Sequence, residues 1–172
     1  MVVMAEEHSV AWIQEGWRRE LPDVPVESIA VITQVWRIAK VLADDRRRTL
    51  AALDMDGATL DLLSTLRRSG PPYELSPGEL ARRCLLSAGA ITQRVARAEA
   101  EGLVSTDRGR SGRRTVVVRL SELGRTRNEE VVRQLLAHEQ ELVELLPAGQ
   151  RGQLAELLGG LQVALVARLG DG

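Results

Sequence analysis

The tetrapeptide Ser76-Pro77-Gly78-Glu79 constrains what this chain can fold into more than any other stretch. A serine that caps the amide three residues on, a glutamate placed to return the bond and a proline at the first helical position together specify a helix start. Ser87 offers a second cap and Gly102 a stop. The pattern predicts helices over 77–84 and 87–101 with a short break between them, which is a helix-turn-helix. Two β-like runs follow, over 103–107 and 115–120. The seven residues Arg108-Gly109-Arg110-Ser111-Gly112-Arg113-Arg114 between them, with two glycines, read as a hairpin tip. Upstream, Asp56 caps a helix through Leu60, Leu63 and Leu66 that Gly70-Pro71-Pro72 ends, and 73–75 predicts a very short strand. The fold class is mainly α, with a small β part (α+β).

The flanks are helical. Residues 5–21 read as a short amphipathic helix with Val10, Ile13 and Trp17 on one face, ended by Pro22 and Pro25. Residues 26–53 form a longer one, whose wide apolar face of Ile32, Val35, Trp36, Ala39 and Leu42 is the mark of a buried helix. Its charge run Asp44-Asp45-Arg46-Arg47-Arg48 reads first as a solvated face and second as ion pairs or a partner surface. Ser121 caps a long helix to about 146, Pro147 breaks it, and a last helix covers 149–168. Apolar residues such as Leu154, Leu157, Leu158, Val163 and Val166 cover most of that last helix, which therefore needs partners on more than one side. A second copy of the chain would supply them.

Composition narrows the class. At 172 residues and 44% apolar, the chain can bury a core without staples. No apolar run reaches the roughly 18 residues of a membrane span, and no basic leader opens the sequence, so a cytoplasmic protein with no membrane partner is expected. Cys84, His8 and His138 give neither a disulfide framework nor zinc-ligand spacing, so no metal or cofactor is expected. The net charge is only −1, but residues 76–114 hold eight arginines against four acids. That segment is either an arginine-rich solvated surface or a footprint for a polyanion within an acidic body.

The second helix of the pair, Ser87 onward, can enter a DNA major groove. Its first half is small and polar, with Gly89 and Ala90 permitting close approach, while Ile91 and Val95 face the core. Ser76, Ser87, Thr92, Gln93, Arg94 and Arg97 are the candidate donors to phosphates and base edges. Arg108, Arg110, Arg113 and Arg114 sit at or beside the hairpin tip, where an arginine can enter a narrow minor groove. No GxGxxG, P-loop or HExxH motif is present, and no catalytic residue is predicted. Cys84 reads as a small core residue, with a redox-sensing regulator as the alternative. His138 reads as solvent-facing. A helical protein-interaction module is the other alternative to a DNA reader.

Leu80-Ala81, Ser87, Thr92, Arg94-Val95, Glu101-Gly102-Leu103-Val104, Arg113-Arg114, Leu120-Ser121 and Gly124, in that order, resemble the winged helix-turn-helix of the MarR family. The resemblance covers nearly the whole chain. It implies a homodimeric transcriptional regulator, usually a repressor, with helical dimerisation segments at 1–53 and 121–172 around a DNA-binding domain at 54–120. It also implies a pseudo-palindromic double-stranded DNA operator whose hold weakens when a small molecule binds. Arg113 would be the minor-groove residue. Where the family carries an acid before the paired wing arginines, this chain has Gly112. The leader helix with Trp17, Asp61, and Arg94 33 residues later is similar to the urate-responsive branch, which implies a small anionic or purine-like effector at Trp17, Asp61 and Arg94. A strand arginine of that branch is replaced by Thr106. The other reading makes Trp17 a packing residue and Asp61–Arg94 a structural pair.

Overall fold

The structure, a computed structural model, describes residues 9–108 and 116–170. The chain divides into two compact units, Met1–Asp54 and Met55–Gly172.

The first unit is a helical pair. Helix α1 (Val10–Glu20) starts where the Trp12 amide donates to Ser9 Oγ at 3.0 Å. Helix α2 (Glu27–Ala52) runs 26 residues, about 39 Å at the usual rise. Gln14 Nε2 donates to the Val26 carbonyl at 2.9 Å and ties α1 to the start of α2. The charge run is an intrahelical ion-pair ladder on a solvated face, with Lys40 and Arg47 on Asp44 and Arg48 on Asp45. The expected burial of α2 is not met: Ile32, Val35 and Leu42 are exposed and Trp36 is 72% exposed. Eleven residues of α1 are too few to cover a 26-residue helix, so the apolar face that the periodicity marks is left bare within its unit.

The second unit holds the core. Helix α3 (Gly57–Arg68) buries Leu60, Leu62, Leu63 and Leu66, one leucine more than a single stripe requires, because other elements pack on several of its sides. Strand β1 (Glu74–Leu75) precedes helix α4 (Pro77–Arg83) and helix α5 (Ala88–Ala100). Strands β2 (Val104–Arg108) and β3 (Val116–Leu120) complete an antiparallel sheet of order β1-β3-β2. Leu80, Ile91, Val95, Ala98, Val104 and Val118 close the core on α3. Cys84 lies half-buried against it, its thiol donating to Thr65 Oγ1 at 3.5 Å.

Helix α6 (Glu122–Val143) leaves the sheet at a tight corner. Ser121 Oγ accepts from the Gly124 amide at 2.9 Å and donates to the Gly102 carbonyl at 2.7 Å. A Cβ on Gly124 would lie 2.0 Å from the Leu103 carbonyl oxygen, so only glycine permits this approach. Val131 and Leu135 are buried, and Asn128 Nδ2 donates to Ser64 Oγ at 2.9 Å, which packs α6 on α3. His138 is half-buried rather than solvent-facing. Helix α7 (Ala148–Leu169) buries none of its residues. The helix boundaries otherwise fall within a few residues of expectation, α6 ending at Val143 before Pro147.

Candidate nucleic-acid interface

Both helices of the helix-turn-helix begin and end on local chemistry. Ser76 Oγ accepts from the Glu79 amide at 3.3 Å, and Glu79 Oε2 accepts from the Ser76 amide at 3.1 Å. Those Ser76 bonds hold the Glu79 carboxyl below its ordinary range. At the other end of α4 the Leu86 amide reaches back to the Ala81 carbonyl at 2.8 Å, with Leu85 at φ +53°. The same arrangement ends α5, where Gly102 takes φ +72° and the Leu103 amide donates to the Ala98 carbonyl at 2.8 Å. These paired closures are Schellman turns. The first is built on a leucine that is 91% exposed and the second on glycine.

Helix α5 has two distinct faces. Ile91, Val95 and Ala98 are buried. Gly89, Thr92, Gln93, Ala96 and Arg97, spaced three and four apart, are exposed. Ser87 Oγ caps the helix, accepting from the Ala90 amide at 3.3 Å. Thr92 Oγ1 already donates to the Ala88 carbonyl at 2.8 Å, leaving its oxygen as an acceptor. A Cβ on Gly89 would meet no protein atom within 4 Å. Ser76 and Ala90 are half-buried at the two helix starts.

Each of the two arginines of α5 is paired with an aspartate of α3 or of its cap. Arg94 Nη1 lies 3.5 Å from Asp61 Oδ2, the arginine side chain 28% exposed. Arg97 Nη2 lies 3.5 Å from Asp56 Oδ2, and its Nε donates to Glu101 at 3.1 Å. Asp56 also caps α3, Oδ1 accepting from the Ala58 and Thr59 amides at 2.9 and 3.0 Å and Oδ2 from the Thr59 hydroxyl at 2.7 Å. Partial burial works against its charge, but the Thr59 bonds, Arg97 and the Ala58 amide outweigh it and hold the carboxyl below its ordinary 3.8.

Several neighbours were not singled out by the sequence reading. Arg82 and Arg83 are exposed at the end of α4, on the same helix-turn-helix as α5; their place in the basic segment was the available signal. Glu99 Oε1 accepts from the Thr106 amide of β2 at 2.8 Å, a contact no spacing rule announces. Trp17 is on α1 of the first unit, about half exposed, whereas Asp61 and Arg94 belong to the second. Arg108 ends β2; its side chain, and Arg110, Gly112, Arg113 and Arg114, lie outside the described residues. Among the described residues no group of three His, Cys, Asp or Glu could hold a metal, and no helix is long and apolar enough to cross a membrane.

Comparison with known proteins bears on this geometry. Residues 53–114 match the MarR family model. The HTH-type transcriptional regulator PecS of Dickeya dadantii (strain 3937) is 27% identical over 163 residues, covering 95% of this chain and 98% of PecS. The organohalide-sensing regulator RdhR in its 2,4-dichlorophenol-bound form superposes with a TM-score of 0.68 at 18% identity, over 84% of each chain. A MarR cysteine-to-serine mutant from E. coli, complexed with operator DNA, superposes with a TM-score of 0.61 at 21% identity, over 84% of this chain and 96% of that one. The segment that matches the MarR family model, residues 53–114, contains the capped helix pair and the exposed face of α5, and the chain's fold is that of the solved MarR structures.

Proposed function

We propose that the protein is a sequence-specific DNA-binding repressor that acts as a homodimer, reads a pseudo-palindromic operator and releases it on binding a small effector. The observation that carries the reading is the two-faced α5. Its apolar face anchors it to the core, and its other face is small, polar and exposed, ending in Arg97. A helix so mounted can enter a major groove, with Thr92, Gln93 and Arg97 at base edges and Ser76, Ser87, Arg82 and Arg83 at phosphates. The arginine-rich segment 108–114 would supply the minor-groove contact. Uncovered apolar faces on α2 and α7 support self-association, since patches of that extent on a lone chain mark an interface. The segments 1–53 and 121–172 would form the dimerising body around the reading domain at 54–120.

For the effector, the Asp61–Arg94 pair is the polar target, and a flat anionic molecule of the urate type suits an arginine beside a carboxylate. Trp17 enters this reading through the resemblance to the urate-responsive branch, and Thr106 stands where that branch has an arginine. An effector that engages Arg94 takes it from the reading helix, so effector and DNA must weaken one another by the same factor.

The test is binding to the DNA upstream of the protein's own gene, at 50 and 200 mM salt, with and without urate and related purines. A reader making about 6–10 phosphate contacts loses roughly 10³–10⁵ in affinity across that range. Absence of binding at either salt would overturn the DNA reading. Tight binding indifferent to every purine would leave the regulator and remove the effector.

A further inference from the structure

We propose that Glu99 is a positioning residue that sets the angle of the hairpin wing against the reading helix, an inference that rests on the DNA-binding reading above. The sheet order β1-β3-β2 makes β2 an edge strand with a strand partner on one side only. Backbone amides on the outer side of such a strand have no ladder to join and must find another acceptor. The Thr106 amide finds Glu99 Oε1, at 2.8 Å, seven residues back on α5. The bond lies at the surface, so an amide released here would exchange its carboxylate acceptor for water.

The placement gives the bond its consequence. Nearer the sheet's base, β2 is fastened by backbone: the Leu103 amide on the Ala98 carbonyl and the Ser121 amide on the Leu103 carbonyl. Val104 is buried in the core. Beyond those ties, Glu99 is the one side chain of α5 that hydrogen-bonds β2 among the described residues. Thr106 lies two residues, about 7 Å of strand, before Arg108, the last residue of β2. Glu99 itself is exposed on the helix that carries Thr92, Gln93 and Arg97. One carboxylate thus joins the helix proposed for the major groove to the strand that precedes the arginine-rich segment. The ladder pairs β2 with β3 over all five of its residues, so the two strands move as one hairpin; with the Glu99 bond that hairpin keeps a fixed angle to α5, and without it the angle relaxes.

The test compares Glu99→Ala with Glu99→Gln in the full-length protein. Both remove a negative charge close to the DNA face, but only glutamine keeps an acceptor for the Thr106 amide. Operator affinity is measured well below each variant's unfolding midpoint, and Thr106 amide exchange is followed in the free protein. Glu99→Ala is expected to bind about three- to tenfold more weakly than Glu99→Gln, to expose the Thr106 amide to exchange, and to lose preference for A·T over G·C pairs under the wing. Glu99→Gln is expected to match or exceed the unaltered protein. Equal affinities for the two variants would show that Glu99 acts through charge alone and overturn the proposal. Loss of affinity in Glu99→Ala with an unchanged A·T preference would likewise overturn it, since the wing would not be what moved. If the unaltered protein binds no operator while its Thr106 amide stays protected, the DNA reading falls and this role for Glu99 with it.

Discussion

Gly89→Ala should stabilise the protein and weaken its hold on DNA, and these opposite signs make it the sharpest probe of the reading face. Gly89 is the second residue of α5, after the Ser87 cap and Ala88. Glycine within a helix is less favourable than alanine by roughly 0.5–1 kcal/mol, because its unfolded chain has more freedom to lose. A methyl here meets no protein atom within 4 Å, so nothing in the fold offsets that gain. At the helix's first turn the gain falls toward the lower end, about 0.5 kcal/mol, or about 1–2 °C in midpoint for a chain of this size. The fold alone therefore gives no reason for glycine at this position. A groove does: if the start of α5 approaches base edges or a phosphate, the added methyl occupies the space of the DNA. A loss of tenfold or more in operator affinity, about 1.4 kcal/mol, is expected.

The assay pairs urea unfolding at one fixed protein concentration with operator titration. A higher urea midpoint with an unaltered slope establishes the gain in stability. Stabilisation with unchanged operator affinity would refute close approach by the start of α5. Destabilisation would refute the open space around Gly89 and with it the argument that the fold does not need a glycine there.

Three further substitutions address other parts of the construction. Gly124→Ala should destabilise by about 2 kcal/mol or more, because its Cβ would fall 2.0 Å from the Leu103 carbonyl oxygen, a backbone atom that cannot rotate away; a urea midpoint equal to that of the unaltered protein would refute the corner as described. Leu85→Gly should stabilise by up to about 1 kcal/mol, since a 91% exposed leucine at φ +53° has little packing to lose and a left-handed conformation to relieve; a lower unfolding midpoint would show that Leu85 contributes contacts the chain alone does not reveal. Asp56 has its carboxyl held below 3.8 in the fold, so its charged form contributes stability above about pH 4 that is lost as pH falls through the folded value. Asp56→Asn keeps a capping acceptor without the charge and should show a shallower loss of stability between pH 5 and 2; parallel curves for the two proteins would refute the assignment.

What could be read from sequence divides along the range of the interaction. Ser76, Ser87, Asp56 and Ser121 act on amides two or three residues away, and each caps the helix that its spacing predicts. The Schellman closure at Gly102 is equally local, whereas the one at Leu85 is hidden because leucine is not the residue that φ +53° favours. Contacts across the fold follow no such rule. Arg97 with Asp56 and Glu99 with Thr106 arise only once α3, α5 and β2 are packed, and nothing in their spacing distinguishes them from other charged residues. Asp61 with Arg94 is an intermediate case, suggested by likeness to a family branch rather than by any property of the two residues. The apolar faces expose the deeper limit. Periodicity reports that Ile32, Val35, Trp36 and Leu42 share a side of α2, and it reports this correctly, but an apolar stripe states only that cover is needed. On α2, a helix far longer than its neighbour, the stripe is left bare by its own unit. The same reasoning applied to α7, which buries none of its residues, makes the association state of the full chain the property on which the rest of its construction depends.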